Sequence, residues 1–164
     1  MRAAVITIST SVSAGRHDDD SGPLLCDLAR RLGADSVDSE VLPDDRDRIA
    51  QRLRHWADGE GCALVLTSGG TGFAPTDQTP EATRAVLERE APGIPEAMRA
   101  ASRPHTRYWM LSRAAAGVRG RTLIVNFPGN PVSVSQTAEG LEPALAHALE
   151  LLAGRQPHPR AHHH

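Results

Sequence analysis

Lysine is missing from this chain: all 18 of its Lys and Arg residues are arginine. No Schiff base, P-loop lysine or Ser-Lys dyad can therefore form. Aromatic residues are scarce, at 3%, so leucine, valine, isoleucine and alanine must build the core. The net charge is −2, without long blocks of one sign, which gives no reason to expect a nucleic-acid groove. No apolar run reaches the roughly 18 residues of a membrane span, and the N-terminus lacks the apolar stretch of a secretory signal. The expectation is a cytoplasmic protein. The two cysteines, Cys26 and Cys62, lie in apolar surroundings and read as packing residues in a reducing compartment.

What is present is enough for one domain. The chain has 164 residues, and the periodic pattern runs over 1–154, followed by a polar tail at 155–164. The last three histidines of that tail read as part of a purification tag rather than as metal ligands. Strands are expected at 5–8, a short β-branched run, and at 36–42, 63–67 and 122–126. Helices are expected at 22–32, 94–101 and across a last segment that carries Leu141, Leu145, Ala148 and Leu152. Two more are placed by their start signals: Asp44 after Pro43 as an N-cap, and Thr79 as an N-cap with Pro80 behind it. Strands that alternate with helices predict an α/β fold, a mostly parallel sheet covered on both faces.

The segment with the most chemistry in it is Thr67-Ser68-Gly69-Gly70-Thr71-Gly72, directly after an apolar strand. A glycine-rich turn at a strand end presents backbone N–H groups without side chains in the way, which suits phosphate. A tight strand-to-helix connection would need fewer glycines. The turn is no dinucleotide fingerprint, because the third glycine is missing, and no nucleophile elbow, because Ser68 has no glycine two residues before it. The histidines His17, His55, His105 and His147 show no metal-ligand spacing. Asp77 follows the turn closely and, with Thr79 as the cap, has no capping task of its own. A carboxylate there repels phosphate unless a cation intervenes, and Mg²⁺ bridging the two resolves the conflict. Asp44 reads equally as a helix cap and as a functional carboxylate. The second turn, Phe127-Pro128-Gly129-Asn130-Pro131, follows another strand and reads equally as an ordinary connection.

Together these segments resemble the Mog/MoaB family of molybdenum-cofactor biosynthesis, the molybdopterin adenylyltransferases. The likeness includes Asp19-Asp20-Ser21-Gly22-Pro23, Pro43-Asp44-Asp45, the 67–72 turn, and Asp77 with Thr79-Pro80-Glu81. It continues through Pro92-Gly93, Glu96, Arg99, Leu111-Ser112-Arg113 and Ala116-Gly117 to Asn126 and Pro128-Gly129-Asn130-Pro131. The resemblance implies a three-layer α/β domain that assembles as a homotrimer. It also implies adenylylation of molybdopterin by ATP with release of pyrophosphate, and hand-over of the product to a molybdate-insertion protein. Asp44 and Asp77 match the family's two functional aspartates, where they would hold Mg²⁺. Contacts to pterin and phosphate fall on Thr67, Ser68, Gly69, Gly70, Thr71, Gly72, Ser112, Asn126, Pro128, Gly129, Asn130 and Pro131. Arg99 or Arg113 reads either as a charge-balancing group or as a structural one.

Two departures stand out. Many members carry Ser-Asp-Arg at the end of the first strand, where this chain has Ser9-Thr10-Ser11. Just before Asp77, where arginine is frequent, it has Thr76. With those two cations lost, a pterin-binding or scaffolding protein without transfer activity is the alternative reading. Nucleotide hydrolysis by the same loop and metal is a third.

Overall fold

The computed structural model describes residues 1–155, so all but the first residue of the expected tail, including the terminal histidines, lies outside the described residues. Six strands form one sheet: β1 (Arg2–Ile8), β2 (Ser36–Leu42), β3 (Leu64–Ser68), β4 (Arg89–Glu90), β5 (Ala116–Arg119) and β6 (Thr122–Phe127). Their spatial order is β2-β1-β3-β6-β5-β4. The first four in that order run parallel, while β5 pairs antiparallel with both β6 and β4.

The side-chain period of 2 along these strands divides the core into two. Ala3, Val5, Leu64, Leu66, Leu123, Val125 and Phe127 point to one face. There they meet α2 (Gly22–Arg31), α5 (Gly93–Ser102) and α6 (Pro131–Leu152) through Leu25, Leu28, Met98, Leu141 and Leu145. Ala4, Ile6, Ile8, Val65 and Ile124 point to the other face. These meet α3 (Arg46–Arg54) and α4 (Thr79–Val86) through Ile49, Leu53, Ala82 and Val86. The result is the expected three-layer sandwich. No helix among the described residues is long and apolar enough to cross a membrane.

Several local features differ from the sequence reading. The loop after β1 is not wholly irregular: α1 (Thr10–Ser13) forms there, capped by Ser9, whose hydroxyl accepts from the Val12 N–H. Asp45 rather than Asp44 caps α3, accepting from the Arg48 N–H at 3.1 Å. Thr79 does not cap α4 either. It is the first helical residue, after Gln78, with Pro80 behind it, and no side chain caps that end. Strands β4 and β5 gave no sequence signal, because β4 is only the charged pair Arg89-Glu90 and β5 opens on Ala116-Gly117, of poor strand propensity. Gly117 is needed there: a Cβ would stand 2.3 Å from the Arg89 carbonyl oxygen of the neighbouring strand. Helix α6 starts ten residues before Leu141, so its buried side also takes in Val134, Thr137 and Ala138.

Both cysteines pack as expected. Cys62 is buried just ahead of β3 and Cys26 is half-buried in α2; burial pushes both thiols up.

Candidate functional site

The order of the strands fixes where a cleft can open. From β1 the chain crosses to β2 over one face of the sheet, by α2, and returns to β3 over the other, by α3. The helices after β1 and β3 therefore diverge, leaving a crevice at the carboxyl ends of those two strands. A cavity of about 310 Å³ lies there, lined by Thr7, Ile8, Ser9, Val12, Asp18, Asp19, Asp20, Ser21, Asp44, Ser68, Gly69, Gly70, Asp77, Gly129 and Pro131.

Asp44 and Asp77, which are 33 positions apart in sequence, both line this cavity. Because Asp45 takes the capping task, the Asp44 carboxylate is directed elsewhere. Its Oδ2 accepts from the Thr10 hydroxyl at 2.9 Å and from the Thr10 N–H at 3.2 Å. The Asp44 N–H in turn donates to Thr10 Oγ1 at 3.1 Å. Thr10, one of the departures from the family pattern, is thus bonded to the candidate catalytic carboxylate in both directions. Asp77 does have a local task that the sequence reading missed: its Oδ2 accepts from the Ala74 N–H at 3.0 Å, which closes the loop ahead of it.

The two glycine turns are held against each other. Gly69 (φ +94°) lies against the end of β1, where a Cβ would come 2.2 Å from the Ile8 carbonyl oxygen. A Cβ on Gly129 would come 3.2 Å from the Gly69 Cα. Side chains at these positions would run into neighbouring backbone, so glycine is what lets the two turns and the end of β1 approach this closely. The Gly69 N–H donates to the Phe127 carbonyl at 3.1 Å, so the amides available to a ligand begin at Gly70.

Of the other expected contact residues, Ser68 and Pro131 also line the cavity, whereas Thr67, Thr71, Gly72, Ser112, Asn126, Pro128 and Asn130 do not. Thr67 and Asn126 have no exposed surface. Asn126 Nδ2 donates to Thr67 Oγ1 (3.0 Å) and Thr83 Oγ1 (2.9 Å), while its Oδ1 accepts from the Ala115 N–H (3.1 Å). This satisfied polar knot ties β3, β6 and α4 together behind the turn. Ser68 is buried too, and its hydroxyl bonds that of Ser21 at 2.8 Å. Thr71 is buried and its carbonyl accepts from the Arg113 N–H. Asn130 caps α6, accepting from the Val132 and Ser133 N–H groups. Ser112 and Pro128 line a separate depression of about 140 Å³, beside Met98, Trp109 and Ser133. The turn after β6 divides the two hollows, Pro128 on one side and Gly129 with Pro131 on the other.

Arg113 is tied into the chain around the glycine turn. Its guanidinium donates to the Gly72 carbonyl (2.8 Å) and the Asp77 carbonyl (2.9 Å) and pairs with Glu81. Burial pushes the Glu81 carboxyl up, but the hydrogen bond from Arg113, a backbone hydrogen bond and the charges of Arg113 and Arg84 together outweigh it, and the group sits below its ordinary range. Arg99 donates to the Ser112 carbonyl at 3.3 Å. Sequence reasoning missed Thr7 and gave no role to Asp19, which it quoted only as part of the family likeness; the Thr7 hydroxyl donates to the Asp19 carboxylate at 2.7 Å.

Five aspartates and no arginine line the cavity. Anions can bind there only if positive charge arrives with them. Among the described residues no group of three or more His, Cys, Asp or Glu side chains is placed to hold a metal ion. A cation would take Asp44 and Asp77 and complete its shell with substrate oxygens and water, which is the habit of Mg²⁺. Carboxylate oxygens are the donors that such a hard cation takes.

A family model described as "Probable molybdopterin binding domain" matches residues 4–147. A Helicobacter pylori (strain J99) protein named molybdopterin adenylyltransferase is 36% identical over 152 residues, covering 92% of this chain and 86% of its own. The Drosophila melanogaster molybdenum cofactor synthesis protein cinnamon is 41% identical over 149 residues, 90% of this chain; the chain spans only a quarter of that relative's length, 25%. Among solved structures, the molybdopterin biosynthesis enzyme MoaB of Thermus thermophilus superposes with a TM-score of 0.87 at 42% identity, covering 94% of this chain and 97% of its own.

Proposed function

Because the chain belongs to this family of molybdopterin-binding domains, we propose that it adenylylates molybdopterin with ATP, releasing pyrophosphate, as a step of molybdenum-cofactor biosynthesis. The observation that carries the proposal is the meeting of Asp44 and Asp77 in one cavity with the bare backbone of Gly69 and Gly70.

The reaction joins two anions. An oxygen of the molybdopterin phosphate attacks the α-phosphorus of ATP, a new P–O bond forms, and the bond to the pyrophosphate oxygen breaks. No covalent enzyme intermediate is needed, so the protein's share is alignment and charge compensation. Asp44 and Asp77 would hold a divalent cation, which supplies the positive charge that lets the phosphates approach. The Gly70 amide orients phosphate oxygens. The Arg113 clamp on the Gly72 and Asp77 carbonyls keeps Asp77 in place. In this reading the protein works in the cytoplasm as a homotrimer and passes its product to a molybdate-insertion protein.

The test is Asp77→Asn. An asparagine oxygen still accepts from the Ala74 N–H, so the loop keeps its shape while the charge is lost. Pyrophosphate release from ATP and molybdopterin should fall by about 100-fold or more, with molybdopterin binding largely intact. Full turnover in this variant would refute the mechanism. A parent protein that binds molybdopterin but releases no pyrophosphate would establish the binding-only alternative.

A further inference from the structure

Thr79 opens α4 with no exposed surface, yet its hydroxyl has no hydrogen-bond partner among the described residues. Buried polar side chains are almost always bonded, so an idle hydroxyl calls for a reason. The other unpartnered atom, Glu81 Oε2, belongs to a carboxylate already paired with Arg113. Nothing comparable occupies Thr79. A valine would fill the same volume without burying a polar atom.

Its neighbours supply the reason. A Cβ on Gly70 would come 2.3 Å from Thr79 Oγ1 and 3.3 Å from Asp44 Oδ1. The hydroxyl and the carboxylate oxygen thus share the space left by the missing side chain of Gly70. Asp44 Oδ2 is occupied by Thr10, whereas no hydrogen bond reaches Oδ1 among the described residues. A donor without a partner and an acceptor that takes no bond from the described residues both lie within 3.3 Å of one point, not bonded to each other, and Thr79 does not itself line the cavity.

We propose that Thr79 is a positioning residue for Asp44: its hydroxyl donates to Oδ1 and fixes the carboxylate when a divalent cation is bound. The role rests on the reading of Asp44 as a cation-holding group. It is indirect, since Thr79 touches neither substrate nor cation.

Full-length Thr79→Val and Thr79→Ser proteins test it, with Mn²⁺ as the probe and affinity read by calorimetry and by water-proton relaxation. Without metal, Thr79→Val should unfold at the parent temperature or above it, because no native hydrogen bond is lost. Its Mn²⁺ affinity should fall about 10- to 100-fold, the usual effect of losing a group that orients a ligand. Turnover should fall through kcat, leaving the KM for molybdopterin unchanged, and Thr79→Ser should recover both. Parent-like Mn²⁺ affinity in Thr79→Val would overturn the role while leaving the adenylylation reading intact. So would failure of Thr79→Ser to recover affinity, or a metal-free Thr79→Val that is destabilised or unfolded. A parent that binds no Mn²⁺ would overturn both.

Discussion

Gly69→Ala is expected to be among the most damaging single-methyl additions in this protein. Gly69 has φ of +94°, in the left-handed region, and its Cβ would stand 2.2 Å from the Ile8 carbonyl oxygen and 3.3 Å from the Ile8 carbonyl carbon. That oxygen cannot swing aside as a side chain would. Ile8 ends a central strand in register with Leu42, and the next residue, Ser9, donates its N–H to the Leu42 carbonyl. The backbone conformation alone costs about 1–2 kcal/mol for a residue with a Cβ. Overpacking against a fixed neighbour adds about 1–3 kcal/mol. For a domain of this size the sum corresponds to a fall in Tm of roughly 4–20 °C. Gly15→Ala is the matched control: Gly15 has φ of +74° but nothing within 4 Å of the added carbon, so it bears only the conformational cost. Urea denaturation followed by circular dichroism measures both. If Gly69→Ala lies within about 0.5 kcal/mol of Gly15→Ala, the contact between the β3 turn and the end of β1 is not the constraint the geometry describes.

The paired aspartates should separate cleanly. Asp45→Ala should lose about 1 kcal/mol of stability with its helix cap but keep pyrophosphate release, whereas Asp44→Asn should do the reverse in thermal denaturation and turnover assays. The Arg113–Glu81 pair should add a pH dependence. A carboxylate held below its ordinary value of 4.5 contributes stability that is present above that value and lost as pH falls through the lower folded value. Urea unfolding from about pH 6 to about pH 3 should show this loss in the parent, and Arg113→Gln should flatten that part of the curve. An unchanged curve in Arg113→Gln would remove the pair as its cause.

The sequence determined the layered α/β frame, because alternation of apolar residues at period 2 and then 3.6 is a local property. Val65 and Leu66 are neighbours that must face opposite layers, and Leu25 and Leu28 must share one. It also marked the 67–72 turn, since a strand end followed by several glycines leaves few other readings, whereas the 127–131 turn, with one glycine, read equally as an ordinary connection. Tertiary structure alone decided which of two adjacent aspartates caps a helix and which faces the cleft. A shift of one residue redirects a side chain entirely, and Pro43-Asp44-Asp45 offers no local reason to choose. The same holds for Asn126 and Thr67, whose strand register turns them into the sheet interior, where they bond each other at 3.0 Å. Ser112 and Pro128 went to a second hollow because the β6 turn comes between them and the aspartates. Periodicity is written residue by residue, but the direction of a polar side chain depends on partners 34 or 59 positions away, whose places only the closed fold supplies.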